Sequence, residues 1–426
     1  MQLSSRGRQM SRLSGIRSIM EDIAAAGRDG SDSEWLNLSP GNPSHIPEVV
    51  DAWSRLVQEA LDDRFIESST RYGPSRGAPG LVDAIVEYFN LTYGWSIGPE
   101  NVVVGPGSQM LSFIATTLFT GPDADGVVRP LVLPRLPDYT GYQGLSLDPG
   151  GIVGLEPLIV PEGRHSFHYA VDTEALAQQS RIGMMLLSNP ANPTGSSIDA
   201  GELKALIETA ERHDVPLVVD HAYGEPFPGV VQTRLAPVLH SHVLNLFTLS
   251  KAGLPGERIA FAIGPAELID PMISFLANST LHAPQLLQAA VERSLTTRQI
   301  DTLTTRHIKP YYKSKRAMAE ELLTETLPDS LDWRLHSCDG GMFCWLSIDH
   351  DWFDDLELYE LLKRKRMFIV PGRHFFVEPL TTPFLSTHGR RCIRLSLSPD
   401  EWAVAEGVNR LGEALEEMRV SARTGK

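Results

Sequence analysis

The sequence predicts an α/β fold with two parts, a large domain built on a mostly parallel sheet flanked by helices and a smaller α+β domain. At 426 residues the chain is longer than one hydrophobic core usually supports. Short apolar segments alternate with helical patterns through the middle of the chain, and this order changes near residue 300. We therefore predict an N-terminal arm (1–48) that packs with the small domain, a large domain (49–300) and a small C-terminal domain (301–426).

The strands of the large domain are predicted from continuous apolar segments. Helical patterns, such as 80–93, the segment that begins at Ser108, and 201–214, fall between several of these segments. Strands that are apolar on both sides are typical of a parallel sheet covered by helices on both faces, and ligands of such sheets bind beyond the carboxyl ends of the strands. The segments are 101–105, 131–134, 182–189, 215–220, 243–250 and 257–264.

The C-terminal part mixes helices and strands without regular alternation, which predicts an α+β domain. In chain order, the predicted elements are a long helix over 302–326, strands at 331–336 and 341–348, a helix near 355–366, a strand at 391–398 and a final helix from Glu401. At the other end, the first twenty residues contain four arginines and no acid, a composition that faintly resembles a transit peptide. Glu21 and Asp22 follow directly, and no apolar stretch is present, so we interpret this part as an ordered arm behind a short frayed tail.

Composition excludes several classes of function. The net charge of −15 argues against nucleic acid as the main partner, because phosphate binding needs a basic face. The three cysteines form no metal-ligand spacing and no even disulfide set, which favours a reducing cytoplasm and predicts no metal site. No apolar stretch approaches the roughly 18–20 residues that span a bilayer, so we expect no membrane partner.

Lys251 is the first candidate functional residue. It directly follows the apolar segment 243–250 and enters a Gly/Pro loop, whereas the other seven lysines lie in polar surroundings. Partial desolvation at such a position lowers the pKa of an amine and makes it a nucleophile for carbonyl carbon. A single lysine at a strand end more commonly reaches solvent, so the interpretation depends on the residues around it.

Polar residues also end the neighbouring strands. Asp220 ends the segment 215–220, and Asn192 lies in the Pro-rich loop that follows 182–189. The small residues at 105–108 open a helix, and such a turn can bind an anion through its backbone N–H groups. Alone, Asp220 could cap a helix and Asn192 could be a turn residue. Together with Lys251 they supply what pyridoxal phosphate needs, namely a Schiff-base lysine, a carboxylate for the pyridine nitrogen and a phosphate cradle.

Three motifs occur in the order that a known family has them. They are NPANPTG at 189–195, D-x-x-Y at 220–223, and Ser250-Lys251 followed by G-x-R at 256–258. From Ser14 to the last helix, the chain resembles the fold type I pyridoxal-phosphate enzymes of aminotransferase class I/II. The spacing of seven from Lys251 to Arg258 is one shorter than in many relatives, and the match around Tyr72 is looser.

The resemblance implies a role in cofactor binding for each matching residue. Lys251 would form the Schiff base and then move protons as the catalytic base. Asp220 would pair with the pyridine nitrogen, Asn192 and the catalytic Tyr223 would contact the ring oxygen, and Tyr139 would stack on the ring. The phosphate would be held by Ser108, Gln109, Thr248, Ser250 and Arg258. Tyr72 would reach the phosphate of a neighbouring subunit, which implies a homodimer.

The resemblance also implies the substrate residues and the reaction. Arg394 would bind the substrate α-carboxylate with Asn192 beside it, and Gly41 and Ile16 would border the pocket. The implied reaction moves the amino group of a small aliphatic amino acid, of the valine or alanine type, to a 2-oxo acid.

Other functions stay open at the level of sequence. The same cofactor site could act on a γ-substituted amino acid such as S-adenosylmethionine, by elimination, replacement or carbon–carbon bond formation, because the first proton abstraction is shared. A transcription regulator with an aminotransferase-like domain needs a DNA-binding module, for which we expect no room ahead of Ser14. The chain could also be a cofactor-binding protein without activity, but the retention of Lys251, Asp220 and Arg394 argues against this.

Overall fold

The computed structural model describes residues 1–11, 15–26, 35–232, 235–338, 340–377 and 382–424, without the side chains of residues 15–18 and 385. Its centre is a seven-stranded sheet. In spatial order its strands are Val102–Gly105, Ala260–Ile263, Val243–Thr248, Leu217–Asp220, Met184–Ser188, Leu131–Leu133 and Ile152–Gly154. The second strand in this order runs antiparallel to both of its neighbours, and all the other pairs are parallel. All six predicted segments therefore form strands of one mostly parallel sheet, and Ile152–Gly154 joins them.

Both faces of this sheet are buried, which explains why its strands are apolar throughout. Along Met184–Ser188, for example, Leu186 packs into one hydrophobic cluster and Leu187 into another, because successive side chains point to opposite faces. At the other edge, Phe247 and Phe261 join a third cluster under the helices Pro47–Ser69, Pro79–Tyr93 and Leu286–Thr296. Packing against helices on both faces thus holds the sheet, and with it the ends of its strands, in place.

A second, six-stranded sheet lies in the C-terminal part. In order, its strands are Val370–Pro371, Cys392–Ser396, Phe343–Ile348, Trp333–His336, Ser166–Ala170 and Leu158–Pro161. The last two come from within 49–300, so that range contributes strands to both sheets. The arm joins the C-terminal part through Leu36–Asn37, which pairs in parallel with Met367–Phe368. The exact domain boundaries stay a prediction.

The described helices follow the predicted order, and local sequence explains where several begin. Ala200–His213 starts with a capping box, in which Asp199 accepts from the Glu202 amide and Glu202 accepts from the Asp199 amide. The described α-helices are Ser5–Met10, Gly15–Ala26, Pro47–Ser69, Pro79–Tyr93, Ser108–Phe119, Thr173–Ala177, Ala200–His213, Ala266–Ser279, Leu286–Thr296, Gln299–Thr302, Lys309–Thr326, Asp355–Arg364, Pro383–His388 and Glu401–Thr424.

One predicted helix differs from the structure. In place of one helix over 302–326, a π-helical turn at Leu303–Ile308 separates Gln299–Thr302 from Lys309–Thr326. Pro310 has no amide hydrogen to donate to the preceding turn, so a regular α-helix cannot run through this position without loss of a hydrogen bond. No described helix is both long enough and apolar enough to span a bilayer.

Candidate active site

A cavity of about 480 Å³ opens where the central sheet, the second sheet and the arm meet. Ser188, Asp220 and Thr248, the last residues of three adjacent parallel strands, line its floor. Residues of the arm and of the C-terminal part form its rim. The cavity thus lies at the carboxyl ends of the strands, where the sequence predicted a ligand site.

Lys251 lies in this cavity, on a short 3₁₀ turn that follows the strand Val243–Thr248. The pKa of its amine is lowered to about 8, chiefly by burial and also by the nearby cations Arg394 and Arg258, while the Asp220 carboxylate acts in the opposite direction. Its Nζ lies 5.7 Å from the centroid of the Tyr223 ring. This environment agrees with the expectation of a desolvated lysine, whose amine is held closer to the neutral, nucleophilic form.

Asp220 is a buried carboxylate that faces the same cavity. Its pKa is raised to about 6, because the effect of burial outweighs that of the hydrogen bond from the Tyr142 hydroxyl, which lowers the pKa. That hydroxyl donates to Asp220 Oδ2 at 3.1 Å, whereas Oδ1 has no hydrogen-bond partner among the described residues. Tyr142 is a functional candidate that the sequence analysis missed, because a tyrosine three residues after Tyr139 gives no signal without the fold.

Asn192, Tyr223 and Arg394 form one hydrogen-bonded chain along the cavity wall. Asn192 Nδ2 donates to Tyr223 Oη at 3.0 Å, and Arg394 Nη1 donates to Asn192 Oδ1 at 3.1 Å. Arg394 also donates to the carbonyl of Ser39, and its guanidinium lies 4.1 Å from the centroid of the Phe343 ring. Its Nε has no partner among the described atoms. The structure thus brings together three predicted residues that are far apart in the chain, and one of them retains a buried donor without a partner among the described atoms.

A second part of the cavity has the character of an anion site. The N-terminus of the helix Ser108–Phe119 faces it, with Ser108 and Gln109 in the lining. Gly107 adopts a φ of +93°, and a Cβ at this position would lie 2.2 Å from Arg258 Nη2. Close approach of the guanidinium to the helix start therefore requires glycine.

Thr248 and Ser250 extend this anion site on the side of Lys251. Thr248 Oγ1 donates to Ser250 Oγ at 3.0 Å, and it accepts from the Ser250 amide at 3.2 Å. Arg258 Nη1 lies 3.5 Å from Ser250 Oγ. Five predicted phosphate-binding residues, Ser108, Gln109, Thr248, Ser250 and Arg258, thus line one cavity.

Tyr139 and Gly41 also line the cavity, as the sequence predicted. Ile16 belongs to the helix Gly15–Ala26, but its side chain lies outside the described residues. Tyr72 does not line the cavity of this single chain and is 86% exposed, with its ring 6.1 Å from that of His282. Its predicted role needs a second subunit and stays a prediction.

The arm contributes an apolar wall to the cavity. Of the residues in its helix Gly15–Ala26, the sequence analysis had named only Ile16 as a pocket residue. Ile19, Met20 and Ile23 line the cavity from the helix Gly15–Ala26. Asp22, on the same helix, accepts hydrogen bonds from Tyr359 Oη at 2.8 Å and from Lys363 Nζ at 2.9 Å. These contacts attach the arm helix, and with it the apolar wall, to the C-terminal part.

Known proteins similar to this chain are aminotransferases. Residues 33–411 match the model of the family described as aminotransferase class I and II. Valine–pyruvate aminotransferase of Escherichia coli is 32% identical over 423 residues, which cover 96% of this chain and 97% of that protein. The crystal structure of valine-pyruvate aminotransferase AvtA from Salmonella typhimurium superposes with a TM-score of 0.84 at 28% identity, over 95% of this chain and 99% of that one.

A more distant structure shares the fold. α-Aminoadipate aminotransferase LysN from Thermus thermophilus, complexed with N-(5'-phosphopyridoxyl)-L-leucine, has a TM-score of 0.75 at 22% identity and covers 98% of both chains. The chain therefore belongs to the aminotransferase class I and II family, and it is a transferase that depends on pyridoxal 5'-phosphate.

Proposed function

We propose that this enzyme moves the amino group of a small aliphatic amino acid, of the valine or alanine type, to a 2-oxo acid. The observation that carries the proposal is the cavity, which combines a set of cofactor-binding groups with an apolar wall. The names of the relatives in Escherichia coli and Salmonella typhimurium agree with it. None of the relatives compared above is named for chemistry on γ-substituted amino acids, the alternative that the sequence left open.

The cavity fits pyridoxal phosphate at both of its ends. Asp220 Oδ1, a buried acceptor without a partner among the described residues, would accept from the protonated ring nitrogen. The helix start at Ser108, with Gln109, Thr248, Ser250 and Arg258, would hold the phosphate. Tyr139 would cover the ring, and Asn192 and Tyr223 would contact the ring oxygen. When bound, the cofactor supplies an aldehyde that captures amines and a ring that stabilises negative charge at the substrate Cα.

Lys251 is proposed to hold the cofactor aldehyde covalently and, once displaced by the substrate amine, to move the proton at Cα. Its lowered pKa suits this role, because a base whose pKa is near neutrality can both accept and return a proton. Arg394 would bind the substrate carboxylate through its guanidinium, with Asn192 beside it. The Tyr223 hydroxyl, which accepts from Asn192, keeps its own proton available for the ring oxygen.

The apolar wall supports an aliphatic substrate. Among the described lining residues, the charged ones are Lys251, Asp220, Arg258 and Arg394, and each already has a proposed partner in the cofactor or the substrate carboxylate. No further cation in this set remains for a second carboxylate. Ile19, Ile23 and Val370 line the cavity instead, so a hydrocarbon side chain would bury its surface there.

We further propose a cytoplasmic homodimer in which Tyr72 completes the site of the other subunit. Large apolar side chains are exposed on the same stretch of chain, with Phe65 at 50%, Ile66 at 70% and Tyr72 at 86%. Such exposure favours a covered surface. A mixture of two inactive variants, Tyr72→Ala and Lys251→Ala, should regain activity after subunit exchange, because one site per mixed dimer is then intact. No regain, in a mixture shown to contain mixed dimers, would contradict this geometry.

The reaction itself is tested with the holoenzyme and a panel of valine, alanine, aspartate and S-adenosylmethionine. Valine or alanine should convert the cofactor to its amine form, seen by absorbance, with the matching 2-oxo acid found by mass spectrometry. Loss of a γ-substituent from S-adenosylmethionine, without conversion by valine or alanine, would favour the alternative.

The apolar wall is tested by Ile23→Ala. Loss of contact surface should lower kcat/KM for valine by about tenfold while alanine changes little, since methylene-sized contacts contribute differences of this order. Ile207→Ala is a matched control, because Ile207 is also partly buried but packs in a cluster away from the cavity. Equal losses for valine and alanine would mean that Ile23 is not a side-chain contact.

A further inference from the structure

Asp138 is a buried carboxylate that the proposed chemistry does not use. It is 2% exposed and directly precedes Tyr139 in the chain. Three donors converge on its two oxygens. The Tyr139 amide donates to Oδ1 at 2.6 Å, the Ser188 hydroxyl donates to the same oxygen, and the Ser188 amide donates to Oδ2 at 3.1 Å. Both carboxylate oxygens are therefore engaged by groups that border the cavity.

Ser188 also contacts Asn192. Because the Ser188 hydroxyl hydrogen is directed at Asp138, a lone pair of Ser188 Oγ is left to accept from the backbone amide of Asn192, at 3.2 Å. The Asn192 side chain in turn bonds to Tyr223 and to Arg394. Asp138 is thus connected to the guanidinium proposed to bind the substrate carboxylate through Ser188, which holds the Asn192 backbone, and through the Asn192 side chain.

Asp138 also contacts the C-terminal part, since its amide donates to the carbonyl of Phe375 at 3.1 Å. Phe375 in turn lies against Arg394, with its ring centroid 5.1 Å from the guanidinium carbon. The loop that carries Tyr139, the loop that carries Asn192 and the segment behind Arg394 are therefore joined at one residue.

We propose that Asp138 is a positioning residue, which acts through Ser188 to set Asn192 and Arg394 in the geometry that binds the substrate carboxylate. The inference rests on the proposed roles of Asn192 and Arg394. A carboxylate is required because all three groups around it are donors, and an ionised carboxylate has only acceptor sites. Asparagine has the same shape but would turn an NH₂ group toward the backbone N–H of Tyr139 or of Ser188, neither of which can accept, so one of these contacts is lost.

The test measures carboxylate binding to the holoenzyme, separately from turnover. The probe is 3-methylbutanoate, which has the carboxylate and hydrocarbon of valine but no amine to react, and its binding is followed through the visible absorbance of the bound cofactor. Asp138→Asn should raise the dissociation constant of the probe by about tenfold, as expected for the loss of one well-placed hydrogen bond. Ser188→Ala should raise this constant to a similar extent, and this variant serves as a second test should Asp138→Asn fail to fold.

The double variant separates positioning from a general loss of stability. If Asp138 acts through Ser188, Asp138→Asn with Ser188→Ala should bind the probe no more weakly than either single variant, since both break the same connection. Asp301→Asn is a control, because Asp301 likewise accepts a hydrogen bond from a side-chain hydroxyl, that of Tyr88, but lies outside the cavity lining. It should lower the melting temperature without changing probe affinity.

Two results would overturn the positioning role. One is an unchanged probe affinity in Asp138→Asn, and the other is a double variant whose loss is the product of the two single losses. Failure of the proposed function looks different. In that case the unmodified holoenzyme itself would not bind the probe, or Arg394→Ala would bind it as well as the unmodified enzyme does.

Discussion

The buried amine of Lys251 should destabilise the protein when no cofactor is bound, and its removal should make the apoprotein more stable. Burial and two neighbouring arginines lower the pKa of Lys251 from 10.5 to about 8, so the charged form is less favourable in the folded state than in the unfolded chain. This difference corresponds to about 3 kcal/mol of unfolding free energy at 1.36 kcal/mol per pH unit. The substitution Lys251→Met keeps the length of the side chain and removes the charge.

The sign of the pH dependence follows from the two pKa values. Above pH 10.5 the amine is neutral in both states, so it costs nothing. As pH falls from 10.5 to about 8, only the unfolded chain takes up the proton and the folded state loses stability relative to it. Below about pH 8 the cost is complete and constant. Lys251→Met should therefore be more stable by about 1–3 kcal/mol at pH 7, and this gain should shrink toward pH 10.

Urea unfolding of the two apoproteins between pH 7 and pH 10 measures this difference directly. The matched control is Lys204→Met, because the Lys204 side chain is 76% exposed and should shift the unfolding free energy little at any pH. A gain that is constant across this range would reflect hydrophobic burial of methionine alone. A variant less stable than the unmodified protein at pH 7 would refute the reasoning.

Two further predictions concern the cofactor-binding groups. Tyr142→Phe should raise the pKa of Asp220 above its value of about 6, by roughly 1–2 units, because a hydrogen bond to a charged group contributes about 1.5–3 kcal/mol. Nuclear magnetic resonance of ¹³C-labelled aspartate in the apoprotein measures this pKa, and an unchanged value would contradict the prediction. Gly107→Ala should weaken cofactor binding about 100-fold or more, measured by calorimetry, because the added Cβ would lie 2.2 Å from Arg258 Nη2. The control Gly126→Ala also has a positive φ, +75°, but meets no atom within 4 Å, so its cofactor affinity should stay unchanged.

The sequence was informative wherever local pattern and chemistry coincide. Continuous apolar strands predicted the central sheet, because strands buried on both faces have no polar side to show. Lys251 and Asp220 were recognisable because each is an ionisable residue at the end of such a strand. The family motifs then predicted the remaining cofactor-binding residues, all of which except Tyr72 line the same cavity.

Tertiary structure decided the features that depend on contacts between distant segments. No local sequence pattern marks Asp138, Ser188 or Tyr142 as part of a site. A carboxylate before a tyrosine, such as Asp138, also occurs on surface turns. Only the fold shows that Asp138 is buried among three donors, and that Tyr142 donates to Asp220.

The same division applies to the substrate pocket. The sequence by itself determined the fold class, the cofactor chemistry and the place of Lys251, because these depend on residue types at the ends of individual strands. The structure decided that Ile19 and Ile23 of the arm face Lys251 across one cavity, with the arm held to the C-terminal part by Asp22. The arm also pairs through Leu36–Asn37 with Met367–Phe368, a contact between residues more than three hundred positions apart that no local pattern encodes.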